Sequence, residues 1–129
     1  MKIHESAENY LETILMLSKS NPSVRSIDIA HELGYSKPSV SIAMKKLRES
    51  GLIVVDENGH IRLTEEGLSI AEEMYERHTL LTRYFTAIGV PEDIAAEDAC
   101  KIEHALSEVT FEKLKEHAAV MGRASLNEI

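Results

Sequence analysis

The sequence is short of the residues that cross-link a small protein or carry it into a membrane. Its 129 residues include no Trp, one Cys and only 5% aromatic residues, so a core must be built mainly from Leu, Ile, Val, Ala and Met. A single Cys cannot form an internal disulfide, which fits a reducing compartment. No apolar run approaches the roughly 18–20 residues of a membrane-spanning helix, and the N-terminus lacks the apolar segment of a secretion signal. These absences predict a cytoplasmic protein without membrane contact.

Common catalytic motifs are absent as well. The sequence contains no His-Glu-x-x-His, no Gly-rich phosphate-binding loop and no recognisable nucleophile motif. A metal-dependent hydrolase or a simple metal store is therefore a poor match, and we expect a protein that is not an enzyme.

The acidic excess is confined to one half of the chain. The net charge is −8, yet residues 1–63 hold eight Lys/Arg and eight Asp/Glu, whereas residues 64–129 hold six and fourteen. An asymmetry of this kind suggests two halves with different partners. The neutral front half is compatible with DNA, and the acidic back half is compatible with cations.

Hydrophobic spacing and chain breakers predict three helices and a β-hairpin in the front half. Ser26 is expected to cap the second helix and Gly34 to end it, while Ser36 caps the third and Gly51 stops it. The predicted helices cover about 6–19, 27–33 and 37–50, and the strands cover 52–55 and 60–63, joined at Asn58-Gly59. This order is that of a winged helix-turn-helix.

The third helix has the pattern of a DNA-recognition helix. Val40, Met44 and Leu47 share one face and should be buried. The other side then presents Ser36, Lys37, Pro38, Ser39, Ser41, Ile42, Lys45, Lys46 and Arg48. Hydroxyls near the start of such a helix can reach base edges, and Lys and Arg can contact phosphates. Asp56 and Glu57 would repel phosphate, so we expect few DNA contacts from the wing tip. The simpler alternative is a helical lobe with a solvated, charged face.

The back half carries a potential metal motif. Helices are predicted over about 64–87, 92–106 and 108–120, followed by a polar tail. Cys100, Glu103 and His104 fall at i, i+3 and i+4, so they would project from one helix face. Sulfur, oxygen and nitrogen donors together suit a transition metal. The alternative is a buried Cys100 beside a solvated edge formed by Glu103 and His104.

The chain resembles the iron- and manganese-dependent repressors of the diphtheria-toxin-repressor and manganese-transport-regulator type. The matching segments, in order and spacing, are 10–14, 28–30, 36–41, 63–67, 77–81 and 99–104. The resemblance implies a mainly α protein, with a winged helix-turn-helix DNA-binding domain at 1–63 and an all-helical dimerisation and metal-binding domain at 64–129. Longer members add an SH3-like domain, for which this chain is too short.

The family's metal positions map onto individual residues of this chain. The resemblance implies ligands at Asn9, Glu12, His78, Cys100, Glu103 and His104. Asn9 stands where the two branches have Met or Asp, and Cys100 is typical of the iron branch, whereas Glu12 is typical of the manganese branch. The implied function is a homodimeric, metal-activated repressor controlling metal-ion homeostasis. It would bind one or two Mn(II) or Fe(II) ions per subunit and a palindromic duplex operator. A winged-helix regulator that responds to a redox signal through Cys100 remains the alternative.

Overall fold

The computed structural model describes residues 5–128, with side chains described for residues 5–120. The elements in chain order are α1 (Glu5–Ser18), α2 (Ser26–Leu33), α3 (Lys37–Glu49), β1 (Ile53–Val55), β2 (Ile61–Leu63), α4 (Glu65–Ala87), α5 (Glu92–Ile102) and α6 (Glu108–Glu128). Two compact units divide at Met74 and Tyr75, inside α4. The predicted mainly helical fold class with one small hairpin is confirmed.

The first unit is a three-helix lobe with a β-hairpin. Leu11, Ile14, Ile29 and Val40 from α1, α2 and α3 are fully buried and form its core with Ile53 of β1. Gly34 ends α2 in the left-handed region at φ 70°, a conformation that glycine adopts without steric cost. The chain can therefore reverse in three residues, and α3 packs its apolar face on the same core.

The hairpin is held by its turn and by the preceding loop. β1 and β2 pair antiparallel, with Ile53 opposite Leu63 and Val55 opposite Ile61. The Asp56 carboxylate accepts hydrogen bonds from the amides of Asn58 and His60, each at 2.9 Å. Ile61 also donates its amide to the carbonyl of Val24 at 2.7 Å. The wing is thus anchored to the loop that leads into α2.

Two local predictions in this unit need correction. Ser26 is the first residue of α2 and not its cap; the N-cap is Arg25, whose amide donates to the Asp28 carboxylate at 2.8 Å. A carboxylate at this position can close the first turn without a Ser hydroxyl. Each strand is also one residue shorter than predicted, since Leu52 and His60 lie outside the ladder. Ser36 does cap α3, accepting from the Ser39 amide, and Pro38 lies in the first turn.

The second unit consists of the rest of α4 with α5 and α6. Among its residues with described side chains, the buried apolar ones are Leu81, Ala95, Ala99 and Phe111. The predicted fifth helix to 106 is too long, because α5 ends at Ile102 and a turn follows. The predicted sixth helix to 120 is too short, because α6 continues to Glu128 through residues that mostly favour helix. Ser107 begins α6 by accepting a hydrogen bond from the amide of Thr110 at 3.1 Å.

None of the helices in the described part of the chain combines the length and apolar character needed to cross a bilayer.

Candidate metal centre and nucleic-acid interface

The structure exposes the predicted recognition surface of α3. Val40, Met44 and Leu47 are buried, as the spacing predicted. Every residue proposed for DNA contact is exposed: Ser36, Lys37, Pro38, Ser39, Ser41, Ile42, Lys45, Lys46 and Arg48. Ile42 is a large apolar side chain on this face and is 59% exposed. The face therefore offers hydroxyls at its start, four cations and one apolar contact to a binding partner.

A groove of about 280 Å³ runs along this face of the first unit. It is lined by Ser26, Ser41, Met44, Lys45, Arg48 and Val55. Two hydroxyls and two cations around one hollow make a surface that favours anions, and phosphate oxygens are the anions that a recognition helix meets on DNA.

In the wing, the His60 ring contacts two charged side chains. The His60 ring lies between Arg25 and Asp56, with Nε2 at 3.3 Å from Arg25 Nη2 and Nδ1 at 3.4 Å from Asp56 Oδ2. The pKa of Asp56 is below its usual value because the carboxylate accepts the His60 amide and, secondarily, the Asn58 amide. Arg62 on β2 is exposed. Of the wing residues, Arg62 is therefore the one whose cation is best placed for phosphate.

In the second unit, two of the predicted histidine ligands lie beside a third predicted ligand, the carboxylate of Glu103. Glu103 is fully buried, at 0% exposure, where the chain leaves α5. His78 Nδ1 lies 3.0 Å from Glu103 Oε2, and His104 Nε2 lies 3.3 Å from Glu103 Oε1. The side chain of His104 is 4% exposed. The alternative of a solvated edge at Glu103 and His104 is therefore wrong.

One oxygen of this buried carboxylate lacks a hydrogen bond. Among the described residues, Glu103 Oε1 has no hydrogen-bond partner, although His104 Nε2 is close to it. A buried, ionised oxygen without a partner is costly, so such atoms usually indicate a missing ion or water. The hydrogen bond to Glu103 raises the pKa of His78, while partial burial opposes that shift. The site therefore attracts a positive charge.

These donors fit a divalent transition metal. A cation with metal–ligand distances of about 2.1 Å holds neighbouring donors roughly 3.0–3.4 Å apart. The distance of 3.0 Å from His78 to Oε2 and the distance of 3.3 Å from His104 to Oε1 each fall in that range, but they involve different oxygens, so each imidazole pairs with its own oxygen of Glu103. Two imidazoles and a carboxylate suit Mn, Fe, Co or Zn better than Ca or Mg.

The other three predicted ligands are placed differently. Cys100 lies on α5 and is exposed, so the alternative of a buried core cysteine is wrong. α5 ends at Ile102, but Glu103 keeps helical φ and ψ angles as its C-cap, and its amide donates to the carbonyl of Ala99. Asn9 and Glu12 belong to α1 of the first unit, three positions apart. Asn9 is half-buried there, and Glu12 is buried at 8% exposure.

Sequence reasoning missed Arg77. This residue precedes His78 on α4 and is only 5% exposed. Its Nη1 donates to the carbonyls of Glu103 and Leu106. The sequence signals were its place in the matching segment 77–81 and an arginine beside a candidate ligand in an otherwise acidic half of the chain, and neither reveals burial.

Both halves of the chain match known domains. Residues 2–61 match the family model of the iron-dependent repressor N-terminal DNA-binding domain, and residues 64–121 match that of the iron-dependent repressor metal-binding and dimerisation domain. The transcriptional regulator MntR of Escherichia coli O6:H1 is 34% identical over 111 residues, covering 86% of this chain and 72% of that protein. The iron-dependent repressor IdeR of Mycobacterium tuberculosis H37Rv is 32% identical over 105 residues, covering 81% of this chain and 46% of that protein.

A solved structure agrees with these matches. A manganese-dependent transcriptional repressor in complex with manganese aligns with a TM-score of 0.79 and 29% identity, covering 90% of this chain and 52% of the other. The present chain thus spans about half the length of that regulator.

A winged helix-turn-helix joined to a helical unit with a buried histidine–carboxylate cluster defines the class of metal-dependent DNA-binding regulators. The chain belongs to the iron-dependent repressor family. The members of this family are DNA-binding transcriptional repressors and not enzymes, they dimerise through the second domain, and they depend on iron or manganese. The predictions of family, function class and cofactor class are confirmed. Membership favours metal dependence over the redox alternative through Cys100.

Proposed function

We propose that this protein is a cytoplasmic, homodimeric repressor that binds Mn(II) or Fe(II) and controls genes of metal-ion homeostasis. The observation that carries the proposal is the fully buried Glu103 carboxylate, flanked by His78 and His104 and with one oxygen lacking a hydrogen bond. The similarity to the iron-dependent repressor IdeR and to a manganese-dependent transcriptional repressor in complex with manganese supports the choice of metals.

The proposed ligand set is wider than the cluster around Glu103. It consists of Asn9, Glu12, His78, Cys100, Glu103 and His104, for one or two ions per subunit. Glu12 is a buried carboxylate, which supports its inclusion. Asn9 rests on its family position, and an amide oxygen is a weaker ligand than a carboxylate. Cys100 is the least supported member, since it is exposed.

We place the boundary between the two domains at residues 63 and 64. The match to the DNA-binding domain ends at 61, and the match to the metal-binding and dimerisation domain begins at 64. The division into compact units falls later, at Met74 and Tyr75, because the start of α4 packs with the first unit.

The proposed mechanism is a shift in population. A bound divalent cation supplies the positive charge that the buried carboxylate lacks. Ligand side chains held in one arrangement would favour a single spacing of the two recognition helices in the dimer. A symmetric dimer then requires an operator with two half-sites about one turn of the DNA double helix apart, roughly 34–36 Å. If metal tightens DNA binding, DNA must tighten metal binding by the same factor.

Selection from a random duplex pool tests the proposal. The purified protein is incubated anaerobically with the pool and with chelator, Mn(II) or Fe(II), and the retained DNA is sequenced. A palindrome enriched only with metal is the expected result, and the comparison of the two ions shows which one activates DNA binding more strongly. The same palindrome in chelator would contradict metal activation, and no enrichment under any condition would contradict the choice of α3 as a DNA-reading helix.

The role of Cys100 has its own test. Replacing a soft thiolate by a hard carboxylate favours Mn(II), so Cys100→Glu should raise the affinity for Mn(II) relative to Zn(II) and Co(II). Competition binding against a chromophoric chelator measures the ratio of dissociation constants. Cys100→Ser serves as the control for loss of the thiol. A ratio unchanged in both variants would remove Cys100 from the ligand set.

A further inference from the structure

We infer that Arg77 is a positioning residue of the metal centre, because its side chain fixes the backbone segment that carries Glu103 and His104. The inference rests on the proposed metal centre and adds a residue that supplies no donor atom to it. Arg77 lies on α4, immediately before His78, and is 5% exposed. Its guanidinium Nη1 donates to the carbonyl oxygen of Glu103 at 2.9 Å and to that of Leu106 at 2.6 Å.

These carbonyls need an outside donor because α5 has already ended. The last four carbonyls of a helix, and those of the turn after it, have no partner within the helix. Burial would leave them unsatisfied and costly. A cationic donor is also favoured near the C-terminus of a helix, where the backbone dipole is negative. Arg77 therefore determines the path of the chain from Glu103 to Leu106.

The guanidinium itself has little freedom. It lies over the ring of Phe111 from α6, 5.1 Å from the ring centroid, and Phe111 is 2% exposed. A planar guanidinium can stack on an aromatic ring and donate to two carbonyls at once, whereas a lysine ammonium is a flexible point charge. The position calls for arginine and not merely for a positive charge.

Arg77 and His78 hold Glu103 at opposite ends. Arg77 binds the backbone carbonyl of Glu103, while His78 Nδ1 is 3.0 Å from its carboxylate Oε2. Consecutive helix residues do not normally converge on one target. They do so here because one contacts the main chain and the other contacts the side chain of the same residue. The carboxylate is thus aimed before any ion arrives, which is the usual role of groups behind metal ligands.

The test compares the full-length protein with Arg77→Lys and Arg77→Met, and with Arg83→Met as the matched control. Arg83 is an exposed arginine on the same helix. The readout is the dissociation constant for Mn(II), followed by electron paramagnetic resonance of the unbound ion. We expect both Arg77 variants to bind Mn(II) about 10–100-fold more weakly, and Arg83→Met to match the wild type. Circular dichroism checks that each variant is folded.

Two further measurements separate positioning from general stability. Hydrogen exchange of the metal-free Arg77→Lys protein should accelerate in residues 103–106 more than elsewhere in α4 and α5. The absorption spectrum of bound Co(II) should change in Arg77→Lys, because its ligand arrangement changes. If Arg77→Lys is folded and shows the wild-type affinity and Co(II) spectrum, the inference is wrong. If the wild type itself fails to bind Mn(II) or Co(II), the proposed metal centre fails together with the inference.

If both Arg77 variants are unfolded, a measurement on the wild-type protein still tests the positioning role of Arg77. By linkage, a side chain that pre-forms the centre must itself be held more firmly once an ion is bound. The guanidinium protons of Arg77, followed by NMR, should therefore exchange with water more slowly in the Zn(II)-loaded than in the metal-free protein. Equal exchange in the two states would overturn the inference.

Discussion

The change Glu103→Gln should separate the stability of the metal-free protein from its response to metal. Glu103 is fully buried, and its Oε1 has no hydrogen-bond partner among the described residues. Losing the charged hydrogen bond with His78 costs about 1.5–3 kcal/mol. Removing a buried charge recovers a desolvation penalty of comparable size, several kcal/mol. We therefore expect the free energy of unfolding in chelator to change by no more than about 1 kcal/mol, although the residue lies in the interior.

The metal-loaded protein should behave differently. An ion at 100 times its dissociation constant adds about 2.7 kcal/mol to the wild type. For a chain of this size that is a rise in melting temperature of about 10 °C, from roughly 3–5 °C per kcal/mol. If Glu103→Gln weakens binding about 100-fold, the same ion concentration adds only about 0.4 kcal/mol, or roughly 2 °C.

Thermal unfolding with chelator and with Mn(II), followed by circular dichroism, measures both quantities. The matched control is Glu97→Gln on α5. Glu97 is an exposed carboxylate, 3.6 Å from the exposed Lys101, and surface pairs of this kind contribute little. The control should keep the full metal-induced shift. A Glu103→Gln protein that also keeps the full shift would refute the assignment of Glu103 as a ligand.

Three further predictions concern the first unit. A Cβ on Gly67 would lie 2.0 Å from the Leu52 carbonyl oxygen, so Gly67→Ala should lower the free energy of unfolding by about 1–3 kcal/mol. Urea unfolding measures the change, with the exposed Ser69→Ala as control. Equal unfolding midpoints for the two variants would contradict the close packing at Gly67. On a selected operator, Lys45→Ala should reduce the steepness of the fall of log affinity with log salt by about 1. Lys113, exposed on α6, provides the control, and Lys113→Ala should leave the slope unchanged. Identical slopes for the two variants would exclude a phosphate contact by Lys45. Asp56, with its pKa below the usual 3.8, should hold the wing turn at neutral pH and release it only as the pH falls through that lowered pKa. In an NMR titration the amides of Asn58 and His60 should report this midpoint, and a value at or above 3.8 would disprove the carboxylate's role.

Local patterns were sufficient to predict the DNA-binding unit. The spacing of Val40, Met44 and Leu47 fixed the buried face of α3, and its exposed face followed by exclusion. Asn58-Gly59 located the turn of the hairpin, where Gly59 adopts φ 80°. Such signals lie within a few residues of the structure that they predict. The error at α2 had the same local origin, because Arg25 acts as a cap through a carboxylate that lies three residues later.

The residue types of the proposed metal centre were predictable from the sequence, but their geometry was not. Spacing and family resemblance selected Cys100 together with His78, Glu103 and His104, but they did not reveal that Glu103 is buried and Cys100 exposed. The helix ends early, and the carbonyls of the following turn are bound by Arg77, which lies 26 and 29 positions away in the sequence. No local pattern can report a hydrogen bond over that distance.

The energetic cost of Glu103 and the proposed sensing function follow from one property of the centre. A buried carboxylate with an unsatisfied oxygen raises the free energy of the metal-free fold, and a cation in contact with it relieves that cost. Part of the binding free energy therefore comes from removing a penalty that the fold already carries. A monovalent ion or a hydrogen-bonded water would compensate the charge only in part. A divalent ion held by Glu103 together with an imidazole ligand would compensate it more fully. Discrimination between these species then arises from the burial of Glu103 as much as from the identity of the ligands.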